Sequence, residues 1–233
     1  MDLEESLGFR SVFNIVPERY QVSRSLLDEI KARGFGLGVH GLKHDGKLFS
    51  SRAFFLECAI KINGYLSDWG SRGFSAPSML RNLEWMGDLH IDYSTSTFDT
   101  DPFEPQPDGA QTIFPYWVPG HGTQRGFLEL PYTLPQDFTL YILMGEKTNA
   151  IWKTKLDWIA SRGGMALVNS HPDYMNFNSM KNQAEEYNVQ IYTEFLNWIK
   201  VRYTGQYWQA LPSQITQYLW PKDCATGRHL ARM

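Results

Sequence analysis

Cysteine is scarce. Only Cys58 and Cys224 occur in 233 residues, far apart in sequence, which argues against a disulfide framework and fits a reducing compartment, so a cytoplasmic location is expected. Lysine and arginine form no run and the formal net charge is −3, which argues against a nucleic-acid partner bound through its phosphates. No apolar stretch reaches the length of a membrane span, and no signal peptide is visible at Met1. Neither glycine-rich phosphate fingerprint occurs, and no Ser or Cys sits in a nucleophile elbow. Internal repeats, low-complexity tracts and linkers are also missing. The expectation is therefore one domain over residues 1–233.

What is present is apolar and aromatic. The hydrophobic fraction of 42% suffices for a well-packed α/β domain. Aromatics make up 15%, with 8 Trp and 12 Tyr; they fit either a bulky core or a ring-lined groove for sugars, and composition does not choose. Phe9 to Val16 is β-rich and closed by Pro17, Ser23 to Arg33 has helical apolar spacing stopped by Gly34, and Phe35 to Val39 is apolar again. Strand, helix and strand with short joints signal a parallel sheet. Further strands are expected at 73–77, 91–97, 127–134 and 165–169. Helices are expected at 51–69, 80–89, 149–161, 185–203 and 212–219. The Pro-, Gly- and Asp-rich stretch 98–125 reads as a functional loop or inserted flap, and residues 222–233 as a frayed end.

Two strand ends carry histidine. His40 and His44 follow the apolar run 35–39 four positions apart. If one helical turn follows that strand, their rings project from one side and can share a metal ion, zinc being the usual guest. Asp45 is then a third ligand, a partner behind the ligands, or solvent-facing charge. His171 lies just past the apolar run 165–168, with Pro172 fixing the backbone after it; at a strand mouth it is placed as a general acid or base. Asp99 and Asp101 flank Thr100 and either orient a ligand or serve turn chemistry. Glu129 is either buried and paired or turned to water. His90, His121 and His229 receive no role.

The segments Gly38 to His44, Gly73 to Pro77 and Leu167 to Pro172, in that order, resemble the polysaccharide deacetylases of the NodB-homology superfamily. The resemblance runs from Phe9 to about Met175. It implies a distorted (β/α)7 barrel and a divalent metal, typically zinc, bound by His40 and His44 as ligands. It further implies His171 as the group that protonates the leaving group. The expected reaction is removal of an acetyl group from, or cleavage of a related non-peptide C–N bond in, a carbohydrate-like substrate. Asp99, Asp101 and Pro77 are candidate substrate contacts. The chain departs from the family pattern at three positions, Ser75 for Arg, Gly36 for Glu and Ser94 for Asp. The family's first motif, an Asp-containing strand supplying the base and the third ligand, falls ahead of Phe9. The expectations are thus a chain that begins after that strand, an impaired hydrolase, and an open barrel edge that a second copy covers. The alternative is a non-catalytic homologue that binds a carbohydrate or a partner.

Overall fold

The computed structural model describes residues 1–122, 125–178 and 184–220. The stretch 222–233, with Cys224 and His229, therefore lies outside the described residues.

In chain order the elements begin with helix α1 (Asp2–Leu7), strand β1 (Val12–Ile15), helix α2 (Arg24–Ala32) and strand β2 (Gly36–His40). Helix α3 (Arg52–Asp68), strand β3 (Gly73–Ser75), helix α4 (Leu83–Met86) and strand β4 (Tyr93–Ser94) follow. Then come strands β5 (Tyr116–Val118) and β6 (Phe127–Glu129) and helix α5 (Ala150–Ser161). The chain continues through strands β7 (Met175–Asn176) and β8 (Tyr187–Asn188) to helices α6 (Gln190–Arg202) and α7 (Pro212–Leu219). The helix starts follow ordinary capping chemistry. Ser23 accepts the Leu26 N–H and Ser51 accepts the Phe54 N–H, each filling a donor that the first turn leaves open.

The main sheet runs β1-β2-β3-β4-β6-β5, parallel throughout except for β5 against β6. An isolated parallel bridge from Phe98 to Tyr132 extends the β4–β6 pairing, and a second, from Leu134 to Val168, continues the order beyond β6. The expected strand at 165–169 is thus reduced to one bridge, and the expected strand at 127–134 is a short strand followed by two bridges. This is a mixed α/β, mostly parallel arrangement. Among the described residues the wall does not close, since β1 pairs with β2 alone. Helix α3 runs unbroken through Gly64, where a Cβ would meet nothing within 4 Å. The helix expected over 80–89 shortens to the single turn α4. The helix expected from 185 starts at Gln190, because Tyr187–Asn188 pairs as a strand instead.

Two large apolar clusters flank the sheet. One joins Val39 and Phe74 to Phe55, Ile62 and Leu66 of α3. The other centres on Trp152 with Tyr141 and Phe195. A smaller cluster of Tyr93, Leu128 and Leu130 packs with Met165, Leu167 and Ile215 of α7. Close approach is tight where Gly73 faces its register partner: a Cβ there would come within 2.2 Å of the Tyr93 hydroxyl.

Glu129 is fully buried. Its Oε1 accepts the backbone N–H groups of Ser96 and Thr97, both at 2.8 Å, and the Thr97 hydroxyl at 2.9 Å. Burial pushes its carboxyl above the usual range, against those hydrogen bonds. The carboxylate thereby fixes the chain just ahead of the loop carrying Asp99, Asp101 and Glu104. Glu129→Ala leaves buried donors without an acceptor and is expected to lower urea-unfolding stability by about 3 kcal/mol. Glu129→Gln, which keeps a carbonyl acceptor, is expected to lose about half as much; equal losses would show that the hydrogen bonds at Oε1 do not matter.

Candidate active site at the strand mouths

Parallel strands share a direction, so their C-terminal ends gather on one side of the sheet. His40 ends β2 and Ser75 ends β3, and the two residues are register partners. The bridges at Phe98, Leu134 and Val168 lead outward to Asp99 and Asp101, to Gln136 and Asp137, and to His171.

His40 Nδ1 lies 3.1 Å from the Ser75 carbonyl oxygen. A carbonyl only accepts, so Nδ1 carries the proton and Nε2 keeps its lone pair. Burial lowers the His40 pKa to about 4, with the charge of His44 next in effect and that of His171 also contributing. His171, from a distant stretch of sequence, therefore acts on the same ring. The His40 and His44 rings lie 5.1 Å apart between centroids. No helical turn produces this. Residues 41–46 form a loop in which Gly41, His44 and Gly46 take left-handed φ values of 59°, 51° and 73°, correcting the expected local geometry. At Gly41 a Cβ would come within 2.4 Å of Pro77 Cγ, so the turn off β2 requires glycine. Pro77 is itself buried.

His171 is anchored by a residue the sequence reading passed over. Asp137 is fully buried and receives the His171 backbone N–H at 2.7 Å, the Phe138 N–H at 2.8 Å and the Tyr187 hydroxyl at 3.2 Å. Its Oδ1 lies 2.7 Å from His171 Nδ1. The carboxylate fixes the ring and directs the Nδ1 proton to itself, leaving Nε2 as the available nitrogen. The turn bearing Asp137 is held by the Trp152 Nε1–H donating to the Pro135 carbonyl at 2.7 Å. The sequence did contain a signal: Asp137 lies three residues past the expected strand end at Leu134.

A second missed group stands beside His171. The Tyr132 hydroxyl meets Asp101 Oδ2 at 3.0 Å and also Glu104 Oε1, which in addition accepts from Gln136 Nε2 at 2.6 Å. Burial raises the Glu104 pKa, while the Tyr132 hydrogen bond and the charges of Arg81 and His171 pull it down. Arg81, whose side chain is nearly inaccessible, lies over the Phe98 ring and donates to the Met79 and Asp108 carbonyls. Ser75, where the resemblance expects arginine, is buried and turns its hydroxyl to the Thr95 carbonyl at 3.4 Å. Asp99 is buried and paired with Lys155 at 2.7 Å. Asp45 is exposed, and its Oδ1 accepts the Lys47 N–H.

The two imidazoles fit one side of a metal site. His40 is anchored through Nδ1 to a carbonyl, the usual support behind a ligating histidine, and its Nε2 is free. Among the described residues no group of three or more His, Cys, Asp or Glu side chains is placed to hold an ion, so the fit stops at two ligands. No described helix is long and apolar enough to cross a membrane.

The lowered His40 pKa makes metal-free protein pH-sensitive. Between pH 6.5 and about 4 the unfolded chain binds the His40 proton and the folded chain does not, so stability is full above that window and falls as pH drops through it. The expected His40 contribution is at most about 3 kcal/mol. Urea titrations at pH 7 and pH 4 should show a smaller pH-dependent loss in His40→Asn than in the parent; equal losses would place the sensitivity elsewhere.

No family model matches the chain. No curated protein matches it by sequence. Solved structures do match. One is a Mycobacterium smegmatis protein provisionally assigned as a polysaccharide deacetylase, 16% identical, with a TM-score of 0.69 over 100% of this chain and 79% of that one. Another is PuuE allantoinase, 16% identical, TM-score 0.62, over 98% of this chain and 72% of that one. A third is a 4-alpha-glucanotransferase from Thermococcus litoralis, 14% identical, TM-score 0.60, over 94% of this chain and 34% of that one. The likeness is one of fold. It sets the chain beside NodB-type barrel proteins, a polysaccharide deacetylase and an allantoinase among them.

Proposed function

We infer that this chain is a metal-dependent hydrolase of the polysaccharide deacetylase type, acting on the acyl–nitrogen or acyl–oxygen bond of a carbohydrate-like substrate. The observation that carries the reading is His171, held by buried Asp137 at the same mouth as the His40–His44 pair and acting electrostatically on His40. His40 and His44 would hold the ion, which would polarise the acyl carbonyl and lower the pKa of a water. Because His40 is neutral near pH 7, its Nε2 offers a lone pair without displacing a proton. His171 Nε2 takes up the proton that the attacking water releases and passes it to the departing amine or alkoxide, while Asp137 holds the ring through its Nδ1–H. Asp101 and Glu104, joined through Tyr132, stand where a substrate hydroxyl or an attacking water meets a carboxylate. Asp99 is tied to Lys155 and shapes the loop, and Pro77 shapes the turn beneath the histidine pair.

One observation favours a second reading. Only two candidate ligands converge among the described residues, which suits a homologue that keeps the groove and binds a carbohydrate without cleaving it. Zinc titration and acetate release from N-acetylated and O-acetylated sugars separate the two. The hydrolase reading expects one zinc per chain, lost in His40→Ala and His44→Ala. It also expects His171→Ala to keep the zinc while kcat falls about 10²- to 10⁴-fold. Absence of both metal and acetate release favours the binding protein.

A further inference from the structure

A cavity of about 150 Å³ opens beside His44 on the α3 side of β2, walled by Leu42, Leu48, Phe49, Pro77 and Leu80 together with the His44 ring. An apolar cavity of roughly that volume holds a benzene-sized group. Four charged residues, Lys43, Asp45, Glu57 and Lys61, also line it, and three of them have partners. Lys43 and Lys61 lie 3.8 and 3.6 Å from the carboxylate of Glu18, and Asp45 accepts the Lys47 N–H. Cys58 also lines the cavity; burial raises its thiol pKa, so it presents a protonated, weakly polar sulfur and not a nucleophile. The left-handed residues His44 and Gly46 lie in the loop that lines this space.

His44 is the shared wall. One side of its ring faces His40 across 5.1 Å and the ring also lines the cavity. A compound whose reacting carbonyl sits at the histidine pair therefore has an apolar recess within a few bonds of that carbonyl. We propose that this recess is an acyl subsite, taking a short aliphatic or aromatic arm attached to the carbonyl, so that the preferred substrates are N- or O-acyl compounds larger than acetyl. This rests on the hydrolase reading for its chemistry and on the cavity alone for its ligand class. Each buried methylene adds about fourfold in affinity or kcat/KM, so a hexanoyl group is expected to exceed acetyl by on the order of 100-fold.

Two measurements test this. The first is kcat/KM for a series of N-acyl glucosamines bearing acetyl, butanoyl, hexanoyl and benzoyl groups. The parent protein should favour the longer acyl groups. Leu80→Trp, which fills the recess, should cut the hexanoyl-to-acetyl ratio at least tenfold, and Phe54→Ala, which widens it, should move the optimum to longer chains. The second needs no turnover: hexanamide and acetamide binding followed through the His44 ring protons by NMR. Hexanamide should bind at least tenfold more tightly than acetamide, and Leu80→Trp should erase the difference. Tight hexanamide binding without hydrolysis of any acyl compound would sink the hydrolase reading and leave the subsite standing. Hydrolysis with no preference for chain length, or equal binding of the two amides, would overturn the subsite.

Discussion

The common direction of the strands is the constraint on which everything else depends. Hydrogen bonding in parallel register sends β1, β2, β3, β4 and β6, and the bridges at Tyr132, Leu134 and Val168, the same way. Whatever follows each strand must then gather at one end. That alone brings His40, Asp101, Glu104, Asp137 and His171 together from stretches separated by up to 131 positions, as counted from 40 to 171. The apolar clusters on the flanks set how tightly the strands lie, and the polar residues at the mouth occupy the space left over.

Within that mouth, the carboxylates differ by what they touch. Asp137 meets four donor groups and orients a ring. Glu129 meets donors only through Oε1 and fixes a backbone. Asp99 meets a lysine. Asp101 and Glu104 share the Tyr132 phenol, which has one proton for two carboxylate contacts, and each takes one further donor, the Phe103 N–H at Asp101 and the Gln136 amide at Glu104. The last pair shares one proton between two carboxylates, an arrangement suited to exchanging a proton or a hydrogen bond with something that enters.

Much of this was readable from residues alone, for definite reasons. The runs ending in His40 and Val168 are apolar and bounded by turn residues, so the strand mouths and their histidines stood out. Pro212 set the start of α7 at its observed place. Asp137 and Glu104 lie past the expected strand ends at 134 and 97, in irregular chain where no spacing singles out one acidic residue from its neighbours. The two-residue strands β7 and β8 are too short for any alternation to register, and β4 is the two-residue remnant of the strand expected at 91–97. The geometry around His44 is not the helical turn that its spacing suggests, because Gly41, His44 and Gly46 are left-handed and at Gly41 the close approach of Pro77 leaves no room for a Cβ. Glu129 was legible as an odd carboxylate among apolar neighbours, but its partners at Ser96 and Thr97 lie across the strand pair.

The central claim is that the imidazoles of His40 and His171, from two distant strand ends, lie close enough to act on each other electrostatically. The most direct test is an NMR titration of the His40 ring in metal-free protein, with and without His171. The structure predicts that His40 titrates near 4 in the parent protein and that His171→Gln raises this value. A His40 titration at the ordinary histidine pKa, or one indifferent to the loss of His171, would contradict the claim.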